Sequence, residues 1–406
     1  MKTPHLASAL VALSLAAALV GAGVLAAQAA ERRAVYSLAP ALLPQKVVGS
    51  ALAAEALRHP DLLLLYGSSE VKSGGAARAG EFFRNAPTGF AVFVVGDAGM
   101  TSLLYLQQLA GLGAELQGRK VVISFTPEQL LTLGVTPREY IGHFSQLHAR
   151  ELVFSPDLSF ALKQDAARRM LAFPSTVQAD PVLRFALQQL AAGSLPGRAL
   201  YLAALPLGEL QLLILRLQDH WEAFWMAPTL RDDPAPAAER PRAAPDWPKL
   251  LDQAEQLQKR QADRNPFGFG EGAWRFLERR AAKEKGTVDP RESDRDFLAS
   301  LAQSTEWTDL ELLLRGLSEL GAQPLLLSTP LHGAYYDAIG VSLEARRAYY
   351  TRLRDLASRY GVLARDYEDH DADRYFTEDL WSHPSQKGWL AFDQAIDAFY
   401  HGAALP

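Results

Sequence analysis

A short apolar run at residues 62–66 stops at Gly67-Ser68-Ser69-Glu70, and this junction constrains the fold more than any other part of the chain. An apolar run bounded by turn residues is typical of a buried strand. In α/β folds the loop after such a strand exposes functional groups. Ser69 would begin the following helix, where its own N–H and the helix terminus favour a developing oxyanion. The alternative is that Ser68 and Ser69 only cap that helix.

Four such runs, at residues 61–66, 90–95, 120–125 and 324–328, alternate with longer helical stretches, and each ends in Gly, Pro, Ser or Thr. This order predicts an α/β fold with a mostly parallel sheet and flanking helices, with the functional loops at one edge. Residues 31–406 are therefore interpreted as one domain that carries a helical insertion at about 157–320. Within the insertion, the Pro- and Ala-rich segment 227–248 predicts a surface loop or linker.

The N-terminal segment 1–30 is different in kind, because residues 6–30 carry no formal charge. That length matches the ~20 residues that a membrane-spanning helix needs. It predicts a single-pass anchor at the cell membrane. The alternative is a cleaved secretory signal, since Ala27-Gln28-Ala29 has the small-x-small form of a cleavage site. Both interpretations place the body of the protein outside the cytoplasm.

Composition excludes several classes of function. With 41 Lys and Arg against 46 Asp and Glu, the net charge of -5 is too balanced for a nucleic-acid-binding surface. The chain has no cysteine, which removes thiol nucleophiles and thiolate metal sites. No His, Asp or Glu cluster has the usual ligand spacing, so no metal is predicted. One basic stretch favours a solvated helix face, with contact to an anionic polymer or lipid headgroups as the alternative. It comprises Arg275, Arg279, Arg280, Lys283 and Lys285.

His383, near the other end of the chain, is the candidate base for Ser69. Pro384 follows it, and because Pro is preorganised for the first helical position, His383 is predicted to lie at a helix entrance. Asp379 would orient one ring nitrogen while the other takes a proton from Ser69. The alternative is a turn that carries a surface histidine.

Four further residues are candidates for oxyanion or substrate contact, and the first is Ser68, next to Ser69. Gly99, in Gly96-Asp97-Ala98-Gly99, would let backbone approach a ligand and supply a second oxyanion N–H, unless this segment is only a tight turn. Asn265, in an aromatic and Gly-punctuated loop, would supply a polar contact. His332 follows the fourth strand and is expected near the site or on a surface loop.

These segments, in this order, resemble the D-alanyl transfer protein DltD family, membrane-anchored relatives of the SGNH or GDSL hydrolases. The resemblance is carried by Tyr66-Gly67-Ser68-Ser69-Glu70, Gly96-x-x-Gly99, Thr126-Pro127-Glu128, Asn265-Pro266-Phe267-Gly268 and Asp379 with His383-Pro384-Ser385-Gln386-Lys387-Gly388-Trp389. It implies an extracytoplasmic serine acyltransferase that needs no cofactor. Its partners would be a DltB-like membrane-bound O-acyltransferase and a D-alanyl carrier-protein system. It would place D-alanyl esters on hydroxyls of an anionic envelope polymer such as teichoic acid.

By position, the resemblance implies Ser69 as nucleophile, His383 as general base, Asp379 as its orienting acid and Gly99 with the Ser69 amide as oxyanion donors. The family spaces acid and base as Asp-x-x-His, whereas this chain has one more residue between them. The Ala-, Leu- and Arg-rich composition is typical of a high-GC, Gram-negative genome, which leaves the acceptor polymer open. Two alternatives stay open: an esterase or thioesterase acting on envelope glycans or a carrier, and a noncatalytic scaffold, which the longer spacing favours.

Overall fold

A five-stranded, wholly parallel sheet forms the centre of the molecule, with strand order β2-β1-β3-β4-β5. The computed structural model describes residues 4–38, 50–131, 134–226, 242–283 and 290–406. The strands are β1 (Leu62–Gly67), β2 (Ala91–Gly96), β3 (Lys120–Phe125), β4 (Gln323–Ser328) and β5 (Leu363–Arg365). Four of them coincide with the predicted runs to within a residue, and the predicted α/β fold is confirmed. Strand β5 was not predicted, because its three residues at the sheet edge contain no apolar run.

Both faces of the sheet are covered. Every residue of β1 and β2 is buried, as expected for parallel strands that have helices on each side. Leu62, Leu64 and Tyr66 of β1 belong to one hydrophobic cluster, whereas Leu63 and Leu65 belong to the other. This period of two places alternate side chains of one strand in two separate cores.

Helices α1 to α4 surround the first three strands, and α16 to α18 follow β4. The first group is α1 (Pro4–Leu38), α2 (Ser50–Arg58), α3 (Ala79–Asn85) and α4 (Ser102–Ala110). The last group is α16 (Gly333–Ala338), α17 (Leu343–Arg359) and α18 (Gln386–His401). Side chains of α3 and α18 pack on the face that holds Leu63, and those of α4 and α17 pack on the other.

The connection from β3 to β4 is helical in its described residues, in agreement with the predicted helical character, although its helices begin well before residue 157. They are α5 (Pro127–Leu131), α6 (Pro137–His143), α7 (Gln146–Phe154), α8 (Phe160–Leu171), α9 (Pro174–Val177), α10 (Pro181–Ala192), α11 (Leu195–Met226), α12 (Trp247–Ala262), α13 (Glu271–Lys283), α14 (Pro290–Gln303) and α15 (Glu306–Glu319). Of the predicted linker, residues 227–241 lie outside the described residues, and 242–246 form no regular element. Of the basic stretch, Lys285 and the side chains of Arg280 and Lys283 also lie outside them.

The N-terminal apolar segment forms α1, which extends past the predicted limit at residue 30. From Ala27 onward part of this helix is buried against the body, where it packs on α2 and α11. The part before Ala27 is apolar and largely exposed. Both α1 and α11 are long and apolar enough to cross a membrane. The length and surface of α1 fit the predicted membrane anchor.

Candidate active site

A cavity of about 340 Å³ lies at the carboxyl ends of β1, β2 and β3, at the edge of the sheet that the sequence predicted. Ser69 begins a 3₁₀ turn, Ser69–Lys72, directly after β1 and its neighbour Ser68. Gly99 follows β2 and Thr126 follows β3. The lining residues are Ser68, Ser69, Gly99, Met100, Thr101, Thr126, Glu128, Gln129, Gly134, Val135, Glu139, Trp381 and His383.

Ser69, His383 and Asp379 form a continuous chain of polar contacts at this cavity. The Nε2 atom of His383 lies 2.7 Å from Oγ of Ser69, and its Nδ1 atom lies 2.6 Å from Oδ2 of Asp379. These distances are within hydrogen-bond range. A separation of Ser69 and His383 beyond hydrogen-bond reach would have favoured the noncatalytic alternative, and the two side chains are not separated in this way.

The extra residue between Asp379 and His383 is accommodated within the loop itself. Oδ1 of Asp379 accepts hydrogen bonds from the backbone N–H groups of Trp381 and His383, at 3.0 and 3.1 Å. Ser382 takes a positive φ of 59°, which turns the chain back toward the carboxylate. One oxygen of Asp379 therefore shapes the loop while the other meets the imidazole.

Hydrogen bonds hold the loop that carries His383 on both sides of this residue. The N–H of Glu378 donates to the carbonyl of His383 at 2.8 Å. Ser385 caps α18 by accepting from the N–H groups of Lys387 and Gly388, and its hydroxyl donates to the carbonyl of Tyr375. His383 thus lies just before a helix, as predicted, but Pro384 precedes the capping residue and does not take the first helical position.

Acidic groups surround His383 and affect its charge. Burial lowers the pKa of His383, but the hydrogen bond and the negative charge of Asp379, with smaller contributions from Glu70 and Glu378, raise it above the usual value. Burial raises the pKa of Glu70 to about 7. Burial and the charge of Asp379 likewise raise the pKa of Glu378 to about 7. The site therefore favours a protonated imidazole once the serine proton arrives.

Ser68 and Gly99 join the loops after β1 and β2. The N–H of Gly99 donates to Oγ of Ser68 at 3.1 Å, and Ser68 is buried. Gly99 has a φ of +88°, which favours glycine. Both residues line the cavity, but the N–H that was predicted as an oxyanion donor is directed at Ser68.

Asn265 and His332 do not line the cavity. The Asn265 side chain donates to the carbonyl of Phe269 at 2.8 Å and accepts from the N–H groups of Phe267 and Phe269. His332 places Nε2 2.8 Å from the carbonyl oxygen of Phe267, while Nδ1 accepts the N–H of Tyr335 at the start of α16. Both side chains are occupied in closing the loop at 265–270.

That loop nevertheless touches the histidine loop. The N–H of Gly270 donates to the carbonyl of Glu378 at 3.0 Å, next to Asp379. Asn265 and His332 are thus connected to the site through backbone and have no contact with the cavity in this arrangement.

Two carboxylates in the cavity wall were not predicted as site residues. Among the described lining residues, Glu128 and Glu139 are the only ionisable side chains besides His383. Glu128 follows β3, and its signal was the Thr126-Pro127-Glu128 motif after a strand. Glu139 has no local signal, because it reaches the cavity from α6, where it also caps the helix by accepting from the N–H of Thr136 at 2.8 Å. In the described parts of the chain, no group of three or more His, Asp or Glu residues could hold a metal ion.

At the carboxyl edge of a parallel α/β sheet, Ser69 follows β1 and contacts His383, which comes together with Asp379 from the loop before α18. The family model described as DltD protein matches residues 39–401, and the chain belongs to the DltD family. It is 28% identical over 367 residues to Protein DltD of Bacillus subtilis (strain 168), covering 90% of this chain and 89% of the relative. It is 24% identical over 342 residues to Protein DltD of Staphylococcus aureus (strain NCTC 8325 / PS 47), covering 84% and 82%. The family resemblance drawn from the sequence is confirmed.

Proposed function

We propose that the protein is a serine acyltransferase that moves D-alanyl groups onto hydroxyls of an envelope polymer through an acyl-serine intermediate. The observation that carries the proposal is the contact chain from Ser69 through His383 to Asp379 at the mouth of a small cavity. Membership of the DltD family supports a part in the D-alanylation of envelope polymers.

In the first half-reaction, Oγ of Ser69 attacks the acyl carbonyl carbon while Nε2 of His383 accepts the hydroxyl proton. The carboxylate of Asp379 stabilises the imidazolium that forms. His383 then gives the proton to the leaving group of the donor, and the acyl group remains on Ser69 as an ester. The Ser69 amide is the proposed oxyanion donor, because the N–H of Gly99 is free for that role only when its bond to Ser68 is released.

In the second half-reaction, a hydroxyl of the acceptor gives its proton to Nε2 of His383 and attacks the ester carbon. The bond between the acyl group and Ser69 breaks, and His383 returns the proton to the serine oxygen. The acceptor leaves as an ester, and the enzyme is restored without a cofactor. If water took the place of the acceptor hydroxyl, the same residues would perform hydrolysis.

The charge of the cavity supports an aminoacyl group. Glu128 and Glu139 give the wall two carboxylates, and no Lys or Arg is among the described lining residues. A D-alanyl ester carries an ammonium group two bonds from its carbonyl carbon, so a negative wall near Ser69 attracts it. A volume of about 340 Å³ suits a small acyl group.

The proposed setting is the outer side of a cell membrane. The apolar part of α1 would anchor the chain by a single pass, with the α/β body outside the cytoplasm. A DltB-like membrane-bound O-acyltransferase and a D-alanyl carrier-protein system would supply the acyl group. An anionic envelope polymer would be the acceptor.

The test is replacement of Ser69 by Ala in cells that depend on this chain for envelope D-alanine esters. The esters should fall to the level of a strain without the protein, while immunoblots show unchanged amounts in the membrane. Ser358→Ala, at an exposed position of α17, is the matched control and should leave ester levels intact. Unchanged esters in the Ser69 variant would refute the nucleophile assignment. A purified assay with labelled donor then separates transfer, which needs the acceptor, from hydrolysis.

A further inference from the structure

The large apolar side chains that the described structure leaves exposed are concentrated on two helices. Eight lie on α1 and nine on α11, against seven on the rest of the described chain. Those on α11 are Leu195, Leu200, Leu202, Leu207, Leu210, Leu213, Ile214, Trp221 and Trp225. An apolar surface of this length on one helix requires an apolar environment.

Helix α11 is held against the body along its whole length. Its buried residues run from one end to the other: Gly197, Tyr201, Gly208, Leu212, Asp219 and Ala223. The hydroxyl of Tyr201 donates to the carbonyl of Val153 at 2.7 Å, and a Cβ at Gly208 would lie 2.4 Å from the ring of Phe154. Because one side is fixed to protein throughout, α11 cannot cross a bilayer with lipid on every side.

The opposite side of α11 is a continuous apolar stripe. At about 100° per residue, Leu210, Ile214 and Trp221 fall opposite the buried side. Of the charged residues of the helix, Asp219 is on the buried side, Arg198, Glu209 and Arg216 are on one flank, and Glu222 is on the other. The side chain of Arg216 is half-exposed, and its Nε lies 3.4 Å from Oε1 of the buried Glu151. The centre of the stripe therefore carries no charged residue between Leu195 and Met226.

Helix α11 packs beside α1, the predicted membrane anchor, and this position bears on what covers the stripe. The two helices pack on each other, and Nδ1 of His220 lies 2.7 Å from Oε1 of Glu31. That contact is just past Ala27, where α1 changes from exposed and apolar to partly buried. The C-terminal turn of α11 carries an aromatic group, in which the ring of Trp221 lies 5.6 Å from that of Trp225. Tryptophan is enriched at the membrane–water interface.

We propose that the apolar stripe of α11 lies in the surface of the lipid bilayer, parallel to its plane, with phospholipid acyl chains as its ligand. Helices of this kind bury an apolar face at the boundary between headgroups and acyl chains. Together with α1, α11 would fix the orientation of the body relative to the membrane at two places. This inference does not depend on the chemistry proposed at Ser69.

The test uses the absence of cysteine from the chain, which makes an introduced thiol unique. Full-length Ala203→Cys, Leu210→Cys and Ile214→Cys variants, all at exposed positions of the stripe, are labelled with bimane and reconstituted into phosphatidylcholine–phosphatidylglycerol liposomes. Leu363→Cys on β5 is the control, since Leu363 is 51% exposed and Leu210 is 55% exposed. Lipid carrying a doxyl group high on the acyl chain should quench the α11 probes about twofold or more, and the β5 probe little.

Similar quenching at all three α11 positions supports a helix that lies in the plane of the membrane. A steady change in depth from residue 203 to Ile214 would overturn the proposal in favour of a spanning helix. Equal quenching of the Leu210 and Leu363 probes would overturn it as well, because the stripe would then face water or need a protein partner that the liposomes lack. The readout is independent of activity.

Discussion

The N–H of Ser68 donates to Oε1 of Glu70 across 2.8 Å, so a buried carboxyl holds the turn that presents Ser69. Burial raises the pKa of this carboxyl from 4.5 to about 7. Ser69, the proposed nucleophile, is thus positioned by an acid that changes charge near neutral pH. A buried ionisable group of this kind couples stability to pH.

The first prediction concerns that coupling. Between about pH 4.5 and about pH 7 the folded protein keeps the Glu70 proton, whereas the unfolded chain has lost it. The unfolded state binds fewer protons, so stability falls as pH rises through this window and then levels off above the folded pKa. Glu70→Gln removes this titrating carboxyl and, with it, its contribution to the pH dependence of stability. Urea unfolding at several pH values should show a weaker decline for this variant than for the natural protein.

The matched control for Glu70 is Glu344→Gln, because the side chain of Glu344 is 89% exposed. Its stability curve should follow that of the natural protein. If Glu70→Gln and the natural protein kept parallel curves from pH 4.5 to 7, the raised pKa of Glu70 would be wrong.

The second prediction concerns Asp379→Asn. Loss of the carboxylate should lower the transfer rate by roughly 10³- to 10⁴-fold, since the imidazole loses both its orientation and its charge partner. Because Asp379 raises the pKa of His383, the acidic limb of the pH–rate profile should move to lower pH in the variant. Single-turnover acyl transfer measured across pH gives both quantities.

Glu378→Gln provides the comparison, since Glu378 is adjacent in sequence and makes a smaller contribution to the raised pKa of His383. It should move the acidic limb less than Asp379→Asn does. An Asp379 variant with an unshifted profile would mean that His383 is not the group that titrates.

The third prediction concerns recognition of the acyl group by Glu128. Glu128→Gln should reduce kcat/KM for a D-alanyl donor by about tenfold, the effect of losing one charge-assisted contact to an ammonium group. With an N-acetyl-D-alanyl donor, which has no such charge, the variant and the natural protein should be equal. Glu139→Gln is the comparison, since Glu139 is the other carboxylate that lines the cavity. An equal loss with both donors would point to damage of the cavity and not to charge recognition.

The fourth prediction concerns the close approach of β1 and β2 at the site. A Cβ on Gly96 would lie 2.0 Å from the carbonyl oxygen of Gly67, so Gly96→Ala must separate the strand ends. We expect a loss of about 1–3 kcal/mol in the free energy of unfolding, measured with urea. Gly272→Ala on α13, where a Cβ meets nothing within 4 Å, should instead be neutral or slightly stabilising. Equal stability of the two variants would contradict this account.

Short sequence patterns were sufficient to predict the elements whose conformation depends on neighbouring residues. The apolar run before Gly67 predicted β1, because a strand buried on both faces must be apolar throughout. The turn at Ser69 followed from residues that end strands, and the position of His383 before a helix followed from its proline, although Pro384 lies before the helix cap. The convergence of the loops after β1, β2 and β3 followed from a general property of parallel sheets, whose carboxyl ends share one edge.

Other features depended on contacts between distant parts of the chain. Asn265 and His332 carry polar groups of the kind that line the cavity, and only the fold shows that these groups form hydrogen bonds within and next to the loop at 265–270. Glu139 reaches the cavity because α6 packs beside the loop of Gly99, and the apolar stripe of α11 is exposed because no described helix covers it.

The sequence by itself determined the parallel α/β fold, the apolar N-terminal helix and the identity of Ser69, His383 and Asp379 as candidates, since these depend on residue type and short-range spacing. Only the tertiary structure decided that Ser69 and His383, which are 314 positions apart in the chain, lie 2.7 Å from each other. It also decided that a positive φ at Ser382 absorbs the longer Asp-to-His spacing. Distances of that kind are set by packing of the whole core, which no local segment encodes.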